Sequence, residues 1–172
     1  MQSSGARPSR TESKIMELRL STFALGLSLG LVLGTGDVGA TVWQQYVIEK
    51  TGASVDIPVS VFGENAGLPE TQLGRHFFTR DRRADLMVEA IPNSENDTPA
   101  AFLAKKRPPS GIEYKRVTPH FFVVSSVRNG KIWYDRCNRS AGYMNCILIN
   151  YPASEKRQWD GIVTRMSLSL RP

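Results

Sequence analysis

The sequence predicts an α+β fold: a single twisted antiparallel sheet of about six strands with a short middle helix and a C-terminal amphipathic helix. Three observations support this class. Strand-like alternation recurs from residue 55 onwards, Asn129-Gly130 marks a tight hairpin, and an apolar stripe at helical spacing ends the chain. Because runs of strands are separated by few helices, the pattern favours α+β over a parallel α/β fold.

The predicted strands are short and bounded by turn residues. Residues 46–48 could form a first strand or a short arm, and the strands after them cover residues 55–62, 76–79, 84–91, 112–118, 120–128, 131–137 and 143–151. Pro58 cannot donate a hydrogen bond to a neighbouring strand, so the strand at 55–62 is expected at a sheet edge. Asn129-Gly130 favours a type I′ turn. Residues 63–74 are expected to form a loop, and residues 139–142 a turn.

Two helices are predicted from capping residues and periodicity. Thr98 is a good N-cap, Pro99 suits the first helical position, and Pro108-Pro109 ends the segment. The second helix is expected to begin at Ser154 as its cap and to run towards Leu170. Its apolar stripe consists of Trp159, Ile162, Val163, Met166 and Leu170. A stripe of this kind predicts packing against the sheet.

The first forty residues have the pattern of a signal peptide. A polar stretch with four Lys or Arg residues precedes an apolar core at 23–33. That core is shorter than the roughly 20 residues of a membrane-spanning helix. Val38 and Ala40 fit cleavage after Ala40, and Met16 is an alternative start. The prediction is therefore a signal peptide at 1–40 and a single domain at 41–172, with an uncleaved membrane anchor as the alternative.

The composition is that of one globular domain. The chain has 172 residues, 41% hydrophobic and 22% charged, and a net charge of +6. These values are far from those of disordered chains. The sequence contains no Gly-x-Ser-x-Gly elbow, no HExxH, no phosphate-binding GK[ST] loop and no dinucleotide fingerprint. No cofactor and no metal are therefore expected, and an enzyme is less favoured than a binding protein.

Several stretches resemble small exported bacterial proteins of unassigned function. They are DIP at 56–58, GRHFF at 74–78, DRR at 81–83, TPAAFL at 98–103, GKIWYDRC at 130–137, and YP at 151–152 with EKRQWD at 155–160. This resemblance covers nearly the whole mature chain and implies no activity. The order of elements also looks like the PsbP-like α/β/α sandwich of extrinsic photosystem proteins and related binding or adaptor proteins, which implies a non-enzymatic role.

Both cysteines lie in one short stretch, Cys137 and Cys146. They are expected at the ends of adjacent strands that flank a turn, close enough to bridge in an oxidising compartment. The prediction is a structural disulfide. Free structural thiols and a redox or metal role are the alternatives, although catalytic redox pairs favour a two-residue spacing and further zinc ligands are missing.

Two histidines, His76 and His120, are the weak candidates for catalysis. Each begins an apolar strand beside two phenylalanines. Either could serve a hydrolase as a general base, or could simply pack at a strand edge. A hydrolase would need one of them in a deep pocket within hydrogen-bond reach of an Asp, Glu or Ser side chain.

Basic residues form two clusters that could meet an anionic surface such as lipid headgroups or glycan. The clusters are Arg75, Arg80, Arg82 and Arg83, and Lys105, Lys106 and Arg107. A solvated hairpin tip and a helix end explain them equally well. Export would remove the protein from most nucleic acid, so no nucleic-acid partner is expected.

Together, these features predict a small periplasmic or secreted protein. Its expected role is that of a non-catalytic binding or accessory module of the cell envelope, with an unknown envelope protein or an anionic surface as its partner. Contact with the membrane is expected only through the signal segment during export. A hydrolase using His76 or His120 and a membrane-anchored envelope protein remain the alternatives.

Overall fold

The computed structural model describes residues 40–108 and 110–172. The predicted signal peptide lies outside these residues apart from Ala40, so export and cleavage stay predictions. The elements are β1 Trp43–Val47, β2 Ser54–Pro58, β3 Glu64–Gly67, β4 Gly74–Phe78, β5 Asp85–Pro92, α1 Pro99–Lys106, β6 Tyr114–Val117, β7 Phe121–Arg128, β8 Lys131–Ser140, β9 Tyr143–Pro152 and α2 Lys156–Ser169. Within the described ranges, none of the helices has the length and apolar character needed to cross a bilayer.

Seven strands form one antiparallel sheet in the order β3-β4-β5-β9-β8-β7-β6, and β1 and β2 pair as a separate ribbon. The α+β class is therefore confirmed. The longest strands, β8 and β9, lie side by side near the centre of the sheet. Since residues that pair across antiparallel strands point to the same face, the register assigns every strand residue to one of two faces.

One face of the sheet packs against the β1–β2 ribbon and α2. Its core includes Leu86, Val88, Ile147 and Ile149 from the sheet, and Trp159, Val163, Met166 and Leu170 from the C-terminal segment. The predicted apolar stripe of the last helix is thus confirmed, with Ile162 half-buried at its margin. We call the opposite side of the sheet the α1 face, because α1 packs on it through Leu103.

Residues of types that tolerate positive φ angles lie in the Asn129-Gly130 turn and at the start of β4. Asn129 and Gly130 have φ values of 51° and 73°, so the predicted two-residue hairpin turn is confirmed. Gly74 begins β4 with φ +136°, and a Cβ atom there would lie 1.9 Å from the carbonyl oxygen of Val88. Glycine is therefore required at this position for β4 and β5 to pair.

Several element boundaries differ from the prediction. The expected loop at 63–74 contains β3, and the strand expected at 55–62 ends at Pro58. The turn expected at 139–142 is shorter, because β8 extends to Ser140 and β9 begins at Tyr143.

The two helix starts differ in how well they were predicted. Thr98 caps α1 by accepting a hydrogen bond from the Ala101 amide at 3.2 Å. Ser154 does not cap α2, since a 3-10 turn at Ala153–Glu155 comes first and the helix begins at Lys156 without a side-chain cap.

Candidate functional site: the two halves of the α1 face

One half of the α1 face is covered by α1. We call it the covered half, and its core consists of Phe122, Val124, Cys137, Met144 and Cys146, each with no exposed surface. Leu103 of α1 is 3% exposed and packs with this group. Residues of β7, β8 and β9 are thus brought together under one short helix.

The predicted disulfide lies in the covered half. Cys137 and Cys146 are bonded to each other and are directly opposite in the register of β8 and β9. They lie inside the strands rather than at strand ends next to the turn, since the hairpin extends three residue pairs beyond them. The ten-residue closed loop corresponds to a stabilisation of about 2.5–3 kcal/mol in the chain-entropy treatment.

A buried ion pair lies against the disulfide. Asp135 of β8 has no exposed surface, and the Lys106 ammonium of α1 lies 2.8 Å from its Oδ2 atom. The Sγ atom of Cys137 is 3.4 Å from Asp135 Oδ1 and 3.9 Å from Lys106 Nζ. Burial raises the pKa of the Asp135 carboxyl, and the Lys106 charge opposes that rise. Lys106 therefore joins α1 to the sheet by a charge interaction within a low-dielectric interior.

The disulfide and the buried carboxylate beside it were considered as a possible metal site. Asp135, Cys137 and Cys146 offer ligand atoms within 4.8 Å of one another. Both sulfur atoms are engaged in the disulfide, so the oxidised protein presents a single carboxylate, which Lys106 already neutralises. A thiolate site for a metal ion therefore does not exist in this state of the protein.

The other half of the α1 face is not covered by α1, and we call it the open half. Register assigns to it His76 and Phe78 of β4, Asp85 and Met87 of β5, Trp133 of β8, and Leu148 and Asn150 of β9. All seven side chains are half-buried, whereas the core of the covered half is inaccessible. Two aromatic rings, the His76 imidazole and two further polar side chains thus share one partly exposed surface.

His76, one of the two candidate histidines, belongs to a polar network in the open half. Its Nε2 atom lies 3.3 Å from Asp85 Oδ2, and the Asn150 amide donates to the same oxygen at 3.1 Å. The His76 and Asp85 side chains are 24% and 21% exposed. The ring of His76 also packs on Phe78 at 4.6 Å between centroids. The network therefore keeps partial contact with solvent.

His120 lies elsewhere. It is exposed in the turn before β7, where its backbone amide donates to Thr118 Oγ1. Strands β4 and β7 are separated by β5, β9 and β8, so the structure does not bring the two histidines together. In the described part of the chain, no Ser, Thr or Cys side chain is hydrogen-bonded to either imidazole, so neither histidine has an activated nucleophile beside it.

Four of the seven predicted basic residues are paired within the protein. Arg82 pairs with Glu64, Arg83 with Asp81 and Glu155, Lys105 with Glu95 and Asp97, and Lys106 with Asp135. Arg75, Arg80 and Arg107 form no ion pair with a described residue. Internal pairing lowers the positive charge that either cluster offers to an anion, and the proposed contact with an anionic surface stays a prediction.

Another pair of cations borders the open half. Arg128 and Lys131 flank the Asn129-Gly130 turn and are directly opposite in the register. Together with Ser126, Trp133 and Asn150 they line a cavity of about 220 Å³. Sequence reasoning missed this pair, although a two-residue turn always places its flanking residues opposite each other.

Comparisons with known proteins identify the fold. No protein-family model matches the chain, and no curated protein sequence matches it. The chain is similar to the solution structure of cyanobacterial PsbP (CyanoP) from Synechocystis sp. PCC 6803, with a TM-score of 0.55 and 12% identity over 81% of this chain and 98% of that one. The Saccharomyces cerevisiae Ran-binding protein Mog1p gives a TM-score of 0.47 and 11% identity over 77% and 96% of the two chains. The likeness to CyanoP, together with the sheet and its helices, shows that this chain has a PsbP-like α+β fold.

Proposed function

We propose that the protein is a small exported accessory or binding protein that holds a component of the cell envelope on the open half of the α1 face. The observation that carries this proposal is the contrast within one sheet face. The covered half buries its core completely, while Trp133, Phe78 and His76 keep part of their surface exposed beside it. Uncovered rings with nearby polar groups are typical of surfaces that bind a ligand or partner.

Two further features support export. The first forty residues have the composition of a signal peptide, and the only two cysteines form a buried disulfide. Disulfides persist in oxidising compartments and are rare in the bacterial cytosol. The likeness to CyanoP is compatible with such a role, but at 12% identity it transfers neither a partner nor a location.

Export is tested by mass spectrometry on the full chain produced in a bacterial host and recovered from outside the cytoplasm. We expect an N-terminus at Thr41 and no thiol that reacts without reductant. Retention of residues 16–40 would instead indicate an anchored envelope protein. Two reactive thiols in the native protein would remove the main support for an oxidising compartment.

The binding surface is tested by photo-crosslinking in intact cells. A photoreactive amino acid replaces Met87 in the open half, and a matched variant carries it at Leu168, which is 63% exposed on α2. We expect adducts with an envelope component from position 87 only. Equal adducts from both positions, or none from position 87, would contradict a binding role for the open half.

A hydrolase is the second candidate, and one observation favours it. The imidazole of His76 is within hydrogen-bond reach of Asp85, which could orient it as a general base. A panel of chromogenic esters and glycosides tests this role. Turnover that disappears in His76→Ala but persists in His120→Ala would support the hydrolase, and turnover equal to that of buffer would exclude it for these substrates.

A further inference from the structure

The open half ends at two cations that no described residue neutralises. Arg128 and Lys131 are exposed, and neither forms an ion pair within the described chain. They are also directly opposite each other across β7 and β8. Like charges at directly opposed positions destabilise a strand pair. An anion bound between these two side chains would remove that repulsion.

An aromatic and polar surface continues from these cations. Trp133 lies two residues beyond Lys131 on the same face of β8, and it pairs with Asn150 of β9. Asn150 pairs in turn with Asp85 of β5, which pairs with Phe78 of β4. One row across the sheet therefore places an amide and a carboxylate between two aromatic rings. Arg82 lies over the far ring, 5.1 Å from the centroid of Phe78.

This order of groups matches the chemistry of a charged sugar. The carbon-bound hydrogens of a sugar ring pack on aromatic faces, and its hydroxyls both donate and accept hydrogen bonds. His76, Asp85 and Asn150 supply side-chain donors and acceptors beside the rings. The cavity of about 220 Å³ next to Trp133 is of the size of a single sugar ring.

We propose that the open half binds an acidic oligosaccharide. One sugar ring packs on Trp133, a neighbouring ring contacts the His76 and Phe78 side chains, and a uronic-acid carboxylate pairs with Arg128 and Lys131. This inference rests on the proposed function, which it deepens by naming the ligand class.

Two other anionic ligands fit less well. An extended peptide needs partners for its own backbone groups. On this face the strands use theirs in the ladder, so only side chains remain to satisfy a peptide. A nucleic-acid strand fits less well because the proposed export separates the protein from most nucleic acid.

The test compares an acidic sugar with its neutral ester. Trigalacturonic acid and its methyl ester are titrated into the protein by calorimetry, with quenching of tryptophan fluorescence as a second readout. We expect the acid to bind more tightly than the ester. Arg128→Gln with Lys131→Gln should weaken binding of the acid by about three- to tenfold and leave binding of the ester unchanged.

Matched variants separate the site from general charge. Lys50→Gln with Arg157→Gln removes two exposed cations from the layer on the opposite face, and this variant should bind the acid as the parent protein does. Trp133→Phe, checked for folding by circular dichroism, should weaken binding of both the acid and the ester. Equal weakening in the two double variants would overturn the proposal, as would the absence of binding or a preference for polyglutamate.

The outcome also separates this inference from the proposed function. If position 87 crosslinks to an envelope component while neither trigalacturonic acid nor its ester binds, the binding role stands and the acidic sugar is wrong. If the crosslink is absent as well, both proposals fail.

Discussion

The two halves of the α1 face are built in part from the same strands, but they differ in how far their side chains are buried. In the covered half, β8 and β9 contribute the disulfide and Met144, which are completely buried under α1. In the open half, the same two strands contribute Trp133 and Asn150, which stay accessible. Register and strand length do not distinguish the two halves. The difference comes from the helix that lies over one of them.

The two halves also differ in how deeply they bury their charged side chains. The covered half buries Asp135 with Lys106 at 2.8 Å, so each charge depends on the other. In the open half, Asp85 meets His76 and Asn150 while about a fifth of its side chain remains in contact with solvent. Burying charge costs free energy, and the cost grows as water is excluded. Stability is therefore expected to depend on the first group and ligand binding on the second.

The largest effect is expected from removing the lysine of the buried pair. Lys106→Met leaves the Asp135 carboxylate buried without a counter-charge, which typically costs about 3–5 kcal/mol of unfolding free energy near neutral pH. The neighbouring variant Lys105→Met loses pairs with exposed Glu95 and half-buried Asp97, but its own side chain is more than half exposed, so it should affect stability far less. Urea unfolding of the three proteins measures the difference. Equal stability of the two variants would mean that Asp135 is not covered by α1.

The same variant has a defined pH dependence. Burial raises the pKa of Asp135 in the folded state, and removing Lys106 raises it further. Above the ordinary pKa of about 3.9, the folded variant binds more protons than the unfolded chain, so its stability falls as pH rises. Below that value both states are protonated and the penalty shrinks. The cost of Lys106→Met should therefore be smaller at pH 4 than at pH 7, and a constant cost would contradict this account.

Two methionines allow a direct comparison of packing. Met144→Ala removes a completely buried side chain from the covered half and should cost about 2–5 kcal/mol. Met87→Ala removes a half-buried side chain from the open half and should cost about 1 kcal/mol or less. Thermal and urea unfolding of both variants check the ratio. Similar costs at the two positions would mean that the open half is part of the packed core.

The features of the fold that were predicted correctly depend mostly on local sequence patterns. Alternation, Asn129-Gly130 and the last apolar stripe depend on neighbouring residues, and each was confirmed. Strand β3 was missed because Glu64–Gly67 contains no β-branched or aromatic residue and is a strand only through its pairing with β4.

The site was harder to predict, because its accessibility depends on tertiary coverage. Eight residues of α1 extend about 12 Å, whereas seven strands spread over roughly 29 Å. Helix length therefore indicates that part of the face stays uncovered, but it does not say which part. Alternation along β8 puts Trp133 and Asp135 on one face, yet only the position of α1 separates a partly exposed ring from a buried carboxylate.

The smallest effect on stability is expected at His76. His76→Gln removes a ring that is partly exposed, while Asn150 still donates to Asp85, so the unfolding free energy should change by less than about 1 kcal/mol. Binding of trigalacturonic acid should nevertheless weaken, because the variant loses the ring that packs beside Phe78. His120→Gln, on an exposed turn, is the matched control and should alter neither quantity. A stability loss at His76 as large as that of Met144→Ala, with sugar binding unchanged, would place His76 in the packed core and remove the distinction between the two halves.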